Sequence, residues 1–396
     1  MTSSNSGEVG ESDLAAPGEE AAWWVRRRDE LLALADGGTP RFVYDRETVE
    51  SAAGALLGLG SVGRVFFATK ANHHERVLGW LYEAGVGFEC VSPGELKWVR
   101  SLFPGLDPER LLFTPNFAPR RDYEFGLGMS AHVTVDNLHP LEAWPELFRG
   151  RDILVRLDPG QGRGHHAHVR TAGECSKFGV SEEQLPELCR AIERCDVRVV
   201  GLHAHPGSGI LDAQGWAETA RFLDRMLPLF PGVRWLDVGG GLGVPGPGQA
   251  PLDLAALDAS LAGFAASCAR NVELWLEPGR YLVAEAGVLL ARVTQLKQKG
   301  PKHFVGVDAG MNSLIRPALY GAFHEIVNLS RWGEDLTIEA DVVGPICESG
   351  DTLGSARRLP TTHEGDVLLI ATAGAYGRVM SSSYNLRSPA EEVVLE

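Results

Sequence analysis

Val65-Phe66-Phe67-Ala68-Thr69-Lys70 is a short apolar run of aromatic and β-branched character that ends on a lysine, and Ala71-Asn72 and a helical pattern follow at once. A run of that length reads as an interior strand, so Lys70 is carried to the strand's carboxyl end, facing whatever lies above it. A desolvated amine in such a place loses its proton more easily and can form a Schiff base with a carbonyl. The same order of apolar strand, short loop and helix then recurs down the chain. Strands are expected at Arg64 to Thr69, Val86 to Cys90, Leu111 to Thr114, His132 to Val135, Ile153 to Leu157, Val197 to His203, Val233 to Val238 and Val272 to Leu276. Helical patterns such as His74 to Glu83, Pro93 to Leu102, Ala213 to Phe230 and Leu252 to Cys268 lie between them. Eight alternating units in about 220 residues fit an α/β chain folded as a (β/α)8 TIM barrel. An open doubly wound sheet is the competing arrangement.

On either side of this region the pattern changes. Residues 1–20, rich in Ser, Gly and Glu, are expected to be a disordered tail. Residues 21–45 hold an amphipathic helix, Ala21 to Asp36, stopped by Gly37-Gly38, and a strand, Arg41 to Asp45. The barrel is assigned residues 46–281. From 282 to 396 the helical alternation gives way to strand-like segments: Gly287 to Thr294, His303 to Val307, Ile338 to Val343 and Asp366 to Ala371. They are expected to form a C-terminal, β-sandwich-like domain that includes the N-terminal strand.

Bulk composition narrows the function. A net charge of −15 over 396 residues argues against nucleic acid or an anionic membrane as partner, since either needs a basic face. No stretch approaches the ~20 apolar residues of a membrane span, and the start lacks a hydrophobic signal core. A cytoplasmic protein is expected. The six cysteines, Cys90, Cys175, Cys189, Cys195, Cys268 and Cys347, form no Cys-x-x-Cys pair, so neither a zinc site nor a disulfide framework is expected.

Charged and small residues gather where the strands end. Gly239-Gly240-Gly241-Leu242-Gly243 follows the seventh strand; small residues there let backbone amides approach a phosphate, and the loops after strands seven and eight are the usual phosphate site of such a barrel. The dinucleotide fingerprint Gly241-x-Gly243-x-x-Gly246 is also present, but Pro245 and Pro247 break the helix it requires. His203-Ala204-His205 puts two imidazoles on one face of strand six. They could be metal ligands, yet strand eight ends on Glu277-Pro278-Gly279-Arg280-Tyr281, and a guanidinium there disfavours a divalent ion. No metal is expected. His165, His166 and His168 cluster in a Gly-containing loop after strand five. Val343 to Asp351 brings a thiol, Cys347, and an acid, Glu348, into the second domain, while Arg316, Tyr320 and Tyr376 add basic and aromatic candidates.

Together these motifs resemble the diaminopimelate decarboxylases, pyridoxal-phosphate enzymes of the alanine-racemase-like barrel fold, and most closely the decarboxylase half of the bifunctional aspartate kinase/diaminopimelate decarboxylases. The similarity runs from about Trp23 to Glu396. It implies that Lys70 holds pyridoxal 5′-phosphate covalently, that His205 stacks on its ring, and that Ser208, Gly239, Gly240 and Gly241 cradle its phosphate. It further implies that Glu277 keeps the pyridine nitrogen protonated, and that Gly279, Arg280 and Tyr376 also contact the cofactor. Arg280, Arg316, Tyr320 and Tyr376 would bind the substrate with Glu348, which takes its distal ammonium. Cys347 matches a proton donor that reaches the site from the partner subunit of a homodimer. The implied reaction is decarboxylation of meso-2,6-diaminopimelate to L-lysine, the last step of lysine biosynthesis. Ornithine, lysine or carboxynorspermidine decarboxylation on the same scaffold, and a non-catalytic pyridoxal-phosphate carrier, are the alternatives. The chain departs from the family at Thr69, at Thr114-Pro115-Asn116-Phe117 and at Gly209, and no kinase half is expected in it.

Overall fold

The computed structural model of the chain describes residues 22–160, 163–164 and 176–396. The expected tail at 1–20, Cys175, and the His165, His166 and His168 cluster lie outside the described residues. Arg64–Ala68, Gly87–Cys90, Leu111–Phe113, His132–Val135, Asp152–Arg156, Arg198–His203, Trp235–Asp237 and Glu273–Leu276 are, in chain order, the first to eighth strands of a closed parallel barrel. Closure places Leu276 opposite Val65, which removes the open-sheet alternative.

Side chains alternate along each strand, so every second residue points into the lumen. Phe66, Leu112, Leu154, Val200, Trp235 and Trp275 pack there as one cluster and close the amino-terminal end of the barrel. Trp235 and Trp275 stack at 4.7 Å, and Phe66 meets Trp275 at 5.0 Å. Glycines make the room: a Cβ on Gly87 would come within 2.7 Å of Phe66, and one on Gly201 within 2.8 Å of Leu154. Two positions further along the same strands or just past them, Thr114, Arg156, Asp237 and Glu277 line the opposite end.

The remaining strands form a second, mostly β unit. Its spine is Gly287–Lys299, which runs antiparallel to Arg41–Asp45 on one side and to Val367–Ile370 on the other. It then continues, past a bulge between Val293 and Gln295, as a hairpin with Lys302–Val307. Arg41–Asp45 also pairs in parallel with Glu391–Leu395, so the two ends of the described chain meet in one sheet. The spine is five residues longer than its apolar run because pairing across the hairpin, rather than burial, extends it to Lys299. Thr352–Leu359, Ile326–Asn328 and Glu391–Leu395 are strands without an apolar alternation to announce them.

The single helix expected at Ala21 to Asp36 is instead two, Trp23–Arg26 and Arg28–Asp36, broken at Arg27 (φ −103, ψ 23). The consecutive Trp23 and Trp24 are both buried against Val43, Leu290, Leu369 and Leu395. One straight amphipathic helix does not bury adjacent positions equally. Among the described residues no helix is long and apolar enough to cross a membrane.

Candidate active site

At the carboxyl ends of the barrel strands lies a cavity of about 390 Å³ whose lining includes Lys70, Glu89, Arg156, His205, Glu277 and Tyr376. Tyr376 comes from the β domain, in a left-handed conformation (φ 57), with its amide donating to Ala71 O at 2.8 Å. A larger cavity of about 1160 Å³ adjoins it between the two domains; it shares Ser208, Arg280 and Tyr376 and adds Arg316 and Tyr320.

Lys70 rides on a single helical turn, Thr69–Ala71, just past the first strand. Its side chain is 44% exposed to the cavity, and Nζ lies 2.8 Å from Oε2 of the buried Glu89. The other Glu89 oxygen accepts a short hydrogen bond from the Thr114 hydroxyl. Burial pulls the Lys70 pKa down, but the charges of Glu89, Tyr376 and Glu277 outweigh it, and the net shift is upward. This corrects the expectation that desolvation would free the amine: before a carbonyl arrives, Lys70 is an ion-paired ammonium.

The glycine run is knitted in place by its own backbone. Gly239 N donates to Asp237 Oδ1 at 2.9 Å, Glu277 N to Gly239 O at 3.0 Å, and Trp216 Nε1 to Gly240 O at 2.9 Å. Gly239 and Gly241 have φ of +70 and +88, and a Cβ on Gly240 or Gly241 would collide with the carbonyl oxygen of Glu277 or Gly207. Only glycine fits these positions. His205 Nδ1 accepts from Gly240 N at 3.1 Å. Burial, then the nearby Arg156 charge, pushes the His205 pKa down to about 3, so the imidazole is neutral.

Glu277 sits in the floor with His203 Nε2 at 3.5 Å. Burial works against its charge, but His203 and Lys70 hold the carboxyl below its usual range. Asp237 next to it is driven the other way, by burial and by the Glu277 charge. The pair therefore carries one negative charge, on Glu277. Ligand atoms of His203, Asp237 and Glu277 lie within 4.8 Å of one another, which makes this a tight polar nest beneath the cavity. At the outer side, the Arg280 guanidinium lies 5.1 Å from the Tyr376 ring. Burial and the Arg280 charge bring the Arg316 pKa down to about 10.

Of the residues singled out from sequence, Lys70, His205, Ser208, Gly241, Glu277, Gly279, Arg280 and Tyr376 line the smaller cavity, with Gly239 and Gly240 in the run beneath it, and Arg316 and Tyr320 line the larger. Cys347 and Glu348 are among the lining residues of neither; Cys347 is exposed on the loop after Ile338–Val343. Sequence reasoning passed over Glu89 as the partner of Lys70, and Asp237 and Arg156 altogether. Arg156 is buried, 3.9 Å from Asp136 and 4.5 Å from the Phe178 ring. Its signal was available: a lone cation ending the apolar run Ile153-Leu154-Val155, as Lys70 ends its own.

These residues fit pyridoxal phosphate. A primary amine reaches into the cavity, the glycine cradle has no room for side chains, and the buried Glu277 Oε1 has no hydrogen-bond partner. Known proteins agree with this reading. The family model for the pyridoxal-binding domain of pyridoxal-dependent decarboxylases matches residues 48–284. The diaminopimelate decarboxylase of Methanothermobacter thermautotrophicus is 40% identical over 385 residues, covering 93% of this chain and 89% of that one. That of Deinococcus radiodurans is 37% identical, covering 90% of each. The crystal structure of diaminopimelate decarboxylase from Helicobacter pylori complexed with L-lysine superposes with a TM-score of 0.84 at 29% identity, over 93% of this chain and 94% of that one. With sequence, fold and cavity in agreement along nearly the whole length, the chain belongs to the diaminopimelate decarboxylases of the pyridoxal-dependent decarboxylase family.

Proposed function

We propose that the chain decarboxylates meso-2,6-diaminopimelate to L-lysine and carbon dioxide, with pyridoxal phosphate held at Lys70. The observation that carries the choice of substrate is the pair Arg280 and Arg316 at the cavities next to Lys70. Among the described residues neither is in a salt bridge, and Arg316 is depressed by burial and by its neighbour rather than stabilised by an acid. A substrate ending only in an amine would leave these guanidiniums unpaired, whereas a second carboxylate satisfies them.

Bound pyridoxal phosphate supplies the electron sink for the pair left behind when carbon dioxide departs. The chain's own groups do the rest. Glu277 would hold the proton of the ring nitrogen, and His205, being neutral, would lie beside the ring without adding charge. Ser208 and the glycine run would hold the phosphate. Arg280, Arg316 and Tyr320 orient the distal carboxylate, Tyr376 contacts cofactor and substrate, Glu348 receives the distal ammonium, and Cys347 delivers the proton to the α-carbon. Cys347 and Glu348 line neither cavity of their own protomer, which supports a homodimer in which each reaches the partner's site. A cytoplasmic location suits such a biosynthetic step.

The test is carbon dioxide release and lysine formation from meso-diaminopimelate, ornithine and lysine side by side. Diaminopimelate is expected to be turned over far faster; equal turnover of ornithine overturns the assignment. Mixing inactive Lys70→Ala with inactive Cys347→Ala protein is expected to restore activity as subunits exchange, and a dead mixture with proven exchange places the donor in its own protomer.

A further inference from the structure

Cys347 sits on the loop between Ile338–Val343 and Thr352–Leu359. The base of this loop is locked. Buried Asp351 accepts from Ile346 N at 2.7 Å and Met311 N at 2.5 Å, and Gly344 N donates to Asp351 O at 3.1 Å. Gly344 and Gly310 pack so tightly on the Asp351 carboxylate that a Cβ on either would strike it. The tip is different: it is exposed, and a distant part of the chain reaches it, with Cys347 N donating to Asn385 Oδ1 at 2.7 Å.

Asn385 lies in the turn Tyr384–Leu386, where Asn385 and Leu386 are both left-handed, with φ of 57 and 55. Asparagine tolerates this conformation, but leucine does so only at a cost. Leu386 is 96% exposed, so within its own protomer its side chain gains little packing in return. Backbone bonds hold the segment in place: Ser382 N to Asn312 O and Leu386 N to Ser383 O, each 2.8 Å. A strained turn kept without a packing return is the kind of feature that marks function. What this turn achieves is to aim the Asn385 amide at the peptide that carries the Cys347 thiol.

We propose that Asn385 is a positioning residue for the reaction: by holding the Cys347 peptide, it sets where the thiol stands when it gives its proton to the α-carbon. The inference rests on the reading of Cys347 as the proton donor. It explains why an exposed loop tip can serve in a step that tolerates little misplacement. It also gives the Tyr384–Leu386 turn a role that the fold of the β domain does not require.

Asn385→Gly keeps the left-handed backbone free of steric cost and removes the acceptor, while Asn385→Asp keeps an acceptor at the same place. For Asn385→Gly, kcat is expected to fall about tenfold, the scale of one lost hydrogen bond, with KM nearly unchanged. The ratio of carbon dioxide released to lysine formed is expected to rise above one, because once carbon dioxide has left, a proton that misses the α-carbon would lead, with one water, to the aldehyde, with the amino nitrogen kept by the cofactor, in place of lysine. Asn385→Asp should restore both. Alkylation of Cys347 by iodoacetamide, followed on its peptide by mass, should change in Asn385→Gly and not in Asn385→Asp, with or without cofactor. Unchanged kcat and ratio, or unchanged alkylation of Cys347 in Asn385→Gly, overturns the proposal. If Asn385→Gly melts early, Asn385→Ser, which keeps a polar turn but not the reach, takes its place in the same comparison. Full turnover by Cys347→Ala alone brings down the donor reading itself, and is told apart from failure of the Asn385 proposal because it needs no Asn385 variant.

Discussion

The two ends of the barrel are built from the same strands and behave oppositely. At the amino-terminal end Trp235 and Trp275 stack at 4.7 Å, and the Arg64 guanidinium lies 5.2 Å from the Trp275 ring while pairing with Glu273 and Glu109 at 3.0 and 2.9 Å. Two residues further along these strands, at the carboxyl end, Asp237 and Glu277 are buried, and each keeps an oxygen with no hydrogen-bond partner; His203 Nδ1 is likewise unpartnered. Buried polar atoms left unpaired cost stability, and close-packed rings contribute it. One end thus offsets what the other spends on a site ready for a cofactor.

That contrast can be broken from either side, beginning with the largest effect. Lys70→Ala at the carboxyl end is expected to abolish turnover and to let the cofactor dialyse away, as the absorbance spectrum of the dialysed protein would reveal; turnover that survives removes the cofactor assignment. At the opposite end Trp275→Ala should cost about 3–5 kcal/mol of stability in denaturant unfolding, as for other buried aromatic truncations. Substrate KM in whatever folded protein remains should stay near the wild-type value. A KM that collapses along with stability would mean the two ends are not separable.

Glu95 sharpens the comparison through pH. Its Oε2 accepts from Val91 N at 2.7 Å, while burial and the Glu89 charge raise its pKa to about 7. The folded protein therefore holds a proton there that the unfolded chain has released above about pH 4.5, so stability falls as pH rises from that value to about 7 and then levels off. Measured between pH 5 and 8, this contribution is on the order of 2–3 kcal/mol. Glu95→Gln should flatten the profile by that amount, and an unchanged slope assigns the pH dependence elsewhere. The smallest effect is expected at Arg316→Ala. Losing one charged hydrogen-bonding partner should cost diaminopimelate about 1.5–3 kcal/mol in kcat/KM and leave ornithine nearly untouched. Equal losses on both would make the residue structural.

Much of this was legible before any coordinates. The first barrel strand was expected at Arg64 to Thr69 and runs Arg64–Ala68, and the fourth was expected where it lies, at His132–Val135. Short apolar runs report strands faithfully when both faces are covered. The β domain was harder, because strands such as Thr352–Leu359 are held by pairing with Ile338–Val343 across bulges rather than by an apolar pattern of their own. In the site, residues at strand ends within a motif were readable; Arg156 carried the same strand-end signal with no motif around it, and Asp237 takes its meaning from Glu277, far away in sequence.

By itself, then, the sequence determined the barrel strands and the residues delivered to the carboxyl end: Lys70, the glycine run and Glu277. These follow from the local period of two and from backbone sterics, which act within a few residues. Tertiary structure decided what those groups are. Pairing of neighbouring strands brings Glu89 within 2.8 Å of Lys70 and keeps it an ammonium. It sets Asp237 against Glu277 so that one of them carries the charge, and the β domain leaves Cys347 on a loop outside both cavities. Charge states depend on distances through space, and register and closure alone fix those distances.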